Sequence, residues 1–142
     1  MKRIFIYIAI VLGFLLANCE KTKDDTFNNN DRTIIVDKIL FINAPDDEFD
    51  FANVQIINDS IYLTVRYGGG CGEVEFKLID SEAIMESNPV QRNIRLSFKD
   101  EDTCEAYLTA ELSFDLTPIR VTGANRVSIN LTDWMEPLIY IY

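Results

Sequence analysis

The 142-residue chain contains no histidine. That absence removes the serine or cysteine triads that rely on imidazole, the common histidine-bearing zinc sites, and imidazole acid–base chemistry. Basic residues are also scarce, with 13 Lys and Arg against 23 Asp and Glu. So acidic a chain repels nucleic acid and anionic lipid headgroups and favours basic partners or divalent cations, which excludes a nucleic-acid role. Long apolar runs are limited to residues 4–16, a stretch too short to cross a bilayer as a helix. Helical periods long enough for βαβ crossovers are missing as well, which argues against a parallel α/β sheet.

What is present at the start is an address. Met1-Lys2-Arg3 is a short positive region ahead of the apolar run, the order of a secretory signal. Leu16-Ala17-Asn18-Cys19 follows directly and resembles the lipobox of bacterial lipoproteins, with Asn18 standing where a small residue is usual. The resemblance implies cleavage before Cys19 and lipid attached to it; the alternative is an ordinary secretory signal with a chance cysteine. Several acyl chains on one residue hold a soluble domain stably at a membrane, where a single chain is marginal. Removing residues 1–18 leaves 124 residues with 11 basic against 23 acidic side chains, a formal charge of −12. That length suits one domain. The run "EKTKDDTFNNNDR" has one apolar residue, Phe27, and reads as a flexible tether over residues 19–32 with a reach of roughly 20 Å. Its Lys23-Asp24-Asp25 is similar to export signals of Bacteroidetes-type lipoproteins, which favours the outer face of the outer membrane over the periplasm as the expected location.

From residue 33 to 142 the apolar period is two. Ile61, Leu63, Val65 and Tyr67 alternate with Tyr62, Thr64 and Arg66. Val74, Phe76 and Leu78 alternate with charged residues, and Ile94, Leu96 and Phe98 with Arg95 and Ser97. Further strands are expected over 33–41, 51–57, 105–116, 126–131 and 138–142, with a hairpin turn at Asn58-Asp59-Ser60. Only "SEAIMES", residues 81–87, reads as a short helix, with Ser81 as its cap. Seven or eight short strands predict an all-β fold, an antiparallel, immunoglobulin-like β-sandwich, with a small closed barrel as the alternative.

Once Cys19 is set aside, Cys71 and Cys104 remain. In an oxidising envelope compartment such a pair is expected to form a disulfide, which would staple two strand starts and leave no free thiol nucleophile. "RYGGGCGEVEF" lacks the Lys-Ser/Thr and helix of a phosphate loop and the glycine pattern of a nucleophile elbow, so it reads as the corner that brings Cys71 to Cys104. Carboxylates cluster at "DDEFD" and "KDEDTCE". Asp100, Glu101 and Asp102 are hard oxygen ligands that make a weak calcium candidate, without the spaced pattern of a dedicated site; no other metal and no cofactor is expected. Tyr62, Tyr107 and Trp134, with Tyr140 and Tyr142, are candidates for a sugar-stacking or protein-binding platform, weighed against ordinary packing in the sheets.

"YGGGCGEVEF", "ESNPVQRNIRLSF" and "CEAYLTAELSFDLTPI" together resemble small Bacteroidetes-type lipoproteins related to the NigD-like family. The resemblance implies a β-rich domain with the two cysteines paired. It also implies histidines at positions occupied here by Val74 and Phe98, whose apolar replacement predicts that the two lie near one another in the core. The expected function is a non-enzymatic envelope lipoprotein, an interaction or accessory module that engages an envelope or secreted protein. Its sharper form is an inhibitor or immunity-like factor against a basic protein. The alternative is a surface glycan-binding or glycan-processing domain.

Overall fold

The computed structural model describes residues 32–101, 103, 104 and 106–142. The expected signal, Cys19 and the tether as far as Asp31, with Asp102 and Glu105, lie outside the described residues. The strands are β1 (Arg32–Thr33), β2 (Ile35–Val36), β3 (Phe49–Ile57), β4 (Ser60–Gly69), β5 (Val74–Met85), β6 (Val90–Asp100), β7 (Ala106–Asp115), β8 (Arg126–Leu131) and β9 (Leu138–Ile141). A helix, α1 (Lys38–Asn43), lies between β2 and β3, and a 3₁₀ turn (Thr117–Ile119) follows β7.

Two open sheets face one another, ordered β1-β7-β4-β3 and β2-β5-β6-β8-β9. This is the expected β-sandwich and not the closed barrel. The apolar alternation explains it, since Ile61, Leu63, Val65 and Tyr67 from β4 meet Phe76, Leu78, Ile94, Leu96 and Phe98 from the opposite sheet in one core. The expectation of purely antiparallel pairing is corrected: β1 with β7, β2 with β5, and β6 with β8 are parallel. The last of these arises because the chain leaves β6, returns through β7 in the other sheet, and re-enters beside β6 in its original direction.

Two local expectations are also corrected. Residues 33–41 do not form one strand. Ile34 is buried between β1 and β2, which join different sheets, and α1 begins where the Asp37 carboxylate accepts a hydrogen bond from the Leu40 N–H at 2.8 Å. Residues 81–85 are strand rather than helix, because Ile84 and Met85 pair with Arg92 and Gln91 across β6 after a bulge at residues 80–84. Glu82 in that bulge has φ +64, which an α-helix does not allow.

The other expected elements fall where the period placed them. Asn58, at φ +53, sits in a two-residue turn between the paired Ile57 and Ser60. Phe98 stacks on Phe76 with ring centroids 4.5 Å apart. Val74 packs half-buried against the same cluster, one diagonal step away on that face, as its apolar replacement predicted. The sandwich has two distinct ends: a disulfide end, where β4, β6 and β7 meet Cys71 and Cys104, and a turn end, which carries the β3–β4 and β5–β6 hairpins.

One buried polar feature crosses the inner face of the second sheet. The Arg92 guanidinium donates to both oxygens of Asp80, Nε to Oδ2 at 2.9 Å and Nη2 to Oδ1 at 2.5 Å, with Arg92 5% and Asp80 0% exposed. Oδ1 also accepts the Glu82 N–H at 2.7 Å, which ties the bulge to the ion pair.

Candidate functional site

The disulfide end is built from the glycine corner and the acidic segments. Cys71 and Cys104 are bonded, with Cα atoms 5.9 Å apart, and both are exposed. Gly70, at φ +120, brings the corner so close to β7 that a Cβ there would lie 3.2 Å from the Cβ of Ala106. The corner therefore serves packing and the bridge, as its sequence suggested.

Beside this corner lie Asp47, Glu48 and Asp50, contributed by the segment that enters β3, while Asp46 just before them faces Arg95 at 3.8 Å. The Asp47 N–H donates to the Phe98 carbonyl at 3.2 Å, and an Asp47 carboxylate oxygen accepts the Asp100 N–H at 2.8 Å. Upstream, Arg95 donates to the Ala44 and Pro45 carbonyls and Ser97 Oγ donates to Pro45 at 2.8 Å, which fixes the segment on the second sheet. Glu73, Glu75, Asp100 and Glu101 complete the acidic end. A cavity of about 290 Å³ opens among Asp47, Glu48, Asp50, Arg66, Phe98 and Tyr107. Of the cations at this end, Lys77 pairs with Glu75 at 2.8 Å and Lys99 pairs with Glu101, while Arg66 lines the cavity itself. The hydrogen bond and charge of Glu101 hold the Lys99 ammonium above its ordinary pKa.

The calcium candidate is not assembled among the described residues, where no three carboxylate or thiol side chains converge on a common point. Glu101 faces Lys99, and Asp102 lies outside the described residues.

The candidate aromatics separate. Tyr62, 40% exposed, and Tyr107, 68% exposed, share the outer face of the first sheet. Tyr107 pairs with Gly68, six positions along β4 from Tyr62, or about 20 Å at strand rise. Between them stand Asn53, Thr64, Arg66, Thr109 and Glu111. Trp134 lies elsewhere: it is half-buried at the open side of the sandwich, edge-on to Phe51 at 6.2 Å. Tyr140 is fully buried and Tyr142 packs on it at 4.9 Å, so neither belongs to a surface platform.

These two tyrosines belong instead to a polar cluster at the turn end that sequence reasoning missed. Tyr140 donates its hydroxyl hydrogen to Asp59 at 2.8 Å while accepting from Arg120 Nε at 2.9 Å, and Arg120 Nη2 also reaches Asp59. The Tyr142 hydroxyl accepts the Val121 N–H at 2.8 Å. Arg120 lies over both tyrosine rings. The hydrogen bond from Tyr140, then that from Arg120, lowers the Asp59 pKa; burial, then the bond to Asp59, raises that of Tyr140. The only signal in the sequence was the apolar-tyrosine alternation of the last strand.

Comparison with protein-family models gives no match, and comparison with curated proteins gives none. Solved structures do match. A NigD-like immunity protein from Bacteroides caccae superposes with a TM-score of 0.58 at 14% identity, over 71% of this chain and 51% of that one. A protein of unknown function from Bacteroides vulgatus gives 0.52 at 14% identity, over 78% and 55%, and a toxin-related structure from Parabacteroides distasonis gives 0.53 at 14% identity, over 79% and 61%. This chain thus spans between half and three-fifths of those chains, none of which is described as an enzyme. The described domain has the fold of these structures, a NigD-like immunity protein among them, which bears out at the level of fold the family resemblance seen in the sequence.

Proposed function

We propose that this chain is a non-enzymatic, immunity-like accessory protein of the cell envelope whose disulfide end docks a basic protein. Lipid on Cys19 holds it at the membrane, on the outer face of the outer membrane. The observation that carries the reading is the gathering of Asp47, Glu48, Asp50 and Asp100 around one cavity lined also by the exposed Tyr107. Opposed charge steers encounter and sets register, and an aromatic at the centre supplies contact area. The fold shared with a NigD-like immunity protein supports the same class of role.

The test is to trap the partner by a photocrosslinker placed at Tyr107 of the lipidated full chain and then to measure its binding. Affinity is expected to fall by about tenfold or more when salt rises from about 0.05 to about 0.5 M, and to fall again in Asp47→Lys/Glu48→Lys, with Glu86→Lys at the turn end unchanged. Binding indifferent to salt and to Asp47→Lys/Glu48→Lys overturns the reading. The polar row of Asn53, Thr64, Arg66, Thr109 and Glu111 between Tyr62 and Tyr107 favours a second reading, glycan binding. That reading requires salt-insensitive glycan retention lost in Tyr62→Ala.

A further inference from the structure

We propose that β9 is a self-association edge, onto which a second copy of this chain adds its own β9 antiparallel across a twofold axis at Tyr140. The strand ends its sheet, with β8 on one side and no strand of the described residues hydrogen-bonded to it on the other; β3 approaches it from the facing sheet. Native sandwiches protect such edges with charges, bulges or very short strands. The remaining edges here carry those devices: β3 has Asp50 and a register shift between Phe51 and Asn53, while β1 and β2 are two residues each. Edge strand β9 is short, four residues behind Pro137, but it has no bulge, and "PLIYIY", residues 137–142, carries no charged side chain in a chain of net charge −10.

The hydrogen-bond alternation fixes which groups face outward. The Tyr142 N–H donates to the Asn125 carbonyl at 3.1 Å, so Tyr142, Tyr140 and Leu138 direct their backbone groups at β8. Ile139 and Ile141 therefore present N–H and C=O to the open side. The same two residues expose their side chains on the outer face, at 47% and 68%.

A second copy must match inner residues to inner and outer to outer, because a one-residue slip moves every side chain to the other face. A twofold axis at Tyr140 satisfies this. It sets Ile139 opposite the second copy's Ile141, and Ile141 opposite its Ile139, in two hydrogen-bonded pairs that share four backbone bonds. Leu138-Ile139-Tyr140-Ile141-Tyr142 is close to palindromic about that axis, so one sequence serves both sides of an isologous contact. Arg126 and Ser128 are the outer-face neighbours of Ile141 and Ile139 on β8, so no carboxylate lies in the adjoining row. The contact is a strand edge with four isoleucines, below the roughly 1,000 Å² of a permanent interface, and belongs to the weak, concentration-dependent class. It leaves the acidic disulfide end free.

Sedimentation of the full chain over a hundredfold concentration range up to about 1 mM tests it. The dimer fraction is expected to rise with concentration and to rise further at about 0.5 M salt, because the repulsion between two acidic copies is then screened. Ile139→Lys/Ile141→Lys should weaken association about tenfold or more. Ile139→Pro, which deletes a donor on the open side without touching a bond to β8, should do the same. The unfolding transition of each variant is recorded, and both are expected to melt with the wild type when dilute. A monomer throughout the range, a dimer indifferent to both variants, or a dimer that weakens with salt overturns the proposal. Salt acts oppositely on this edge and on a basic partner at the disulfide end, so either idea fails without the other.

Discussion

The buried Asp80–Arg92 pair makes the sharpest stability prediction. Arg92→Leu leaves an Asp80 carboxylate in the core with only the Glu82 N–H bound to it. Breaking a buried ion pair from one side costs about 3–5 kcal/mol, because the remaining charge is uncompensated. Asp80→Leu should sit at the upper part of that range, since it orphans both the guanidinium and the Glu82 N–H and releases the bulge that carries φ +64. For a domain with a total stability of about 5–15 kcal/mol, either change consumes a large share, and about 3 kcal/mol corresponds to roughly 12–20 °C in Tm. The double variant Asp80→Leu/Arg92→Leu replaces the pair by apolar contacts and should lie within about 2 kcal/mol of the wild type, far short of the sum of the singles. Urea unfolding of the disulfide-intact protein, extrapolated linearly for all four members of the cycle, measures this directly. The reasoning is refuted if Arg92→Leu costs under about 1 kcal/mol, or if the double variant loses as much as the two singles combined.

The Asp59–Arg120–Tyr140 cluster predicts a stability profile with two limbs. Asp59 has a lowered pKa in the folded state, so its contribution is present above the unfolded carboxylate pKa and is lost as pH falls through the folded one. Tyr140 is raised, so its contribution is present below the unfolded phenol pKa and is lost as pH rises through the folded one. Asp59→Asn should flatten the acid limb and Tyr140→Phe the alkaline limb in melting curves recorded across pH; a Tyr140→Phe profile identical to wild type would contradict the second assignment. For the disulfide, reduction opens a loop of sequence separation 33 and should lower stability by about 4 kcal/mol in the chain-entropy picture. Equal melting temperatures with and without reductant would show that the glycine corner holds without its bridge.

Strand identity was legible wherever one face of a sheet is buried and the other is wet, because that asymmetry writes itself into the chain with period two. β8 falls on the expected residues, and β4 and β6 contain theirs. The period was silent where both neighbours are protein or both are water. Residues 33–41 are mostly apolar without a clean period of two, and what separates two short strands from a helix there is one side chain, Asp37, capping Leu40. Residues 81–85 have helix-favouring composition, but the pairing of Ile84 and Met85 with β6 outweighs it. Parallel pairing of β6 and β8 was unreadable because it depends on the chain's excursion through the other sheet, which leaves no local mark.

The candidate site divides along the same line. Cys71 and Cys104 could be matched from chemistry alone, since a bond needs only two partners. The separation of Tyr62 and Tyr107 from Trp134 and Tyr140 could not, because it depends on which face each strand turns outward. Asp59, Arg120 and Tyr140 meet across more than eighty residues of chain, and a polar contact between loops has no periodicity to betray it.

The placement of β1 and β2 has a consequence in time. Arg32 and Thr33 pair with Phe114 and Asp115, and Ile35 and Val36 with Ile79 and Asp80, so the first described residues to be synthesised close some of the longest loops in the fold. Loop closure must be met before such contacts reward it, which makes them late events. Until β5 and β7 are complete, Ile34 has no pocket between the sheets, and the leading segment of the domain travels as unpaired chain. The first described residues to be made therefore wait for β5 and β7 before they can be fastened.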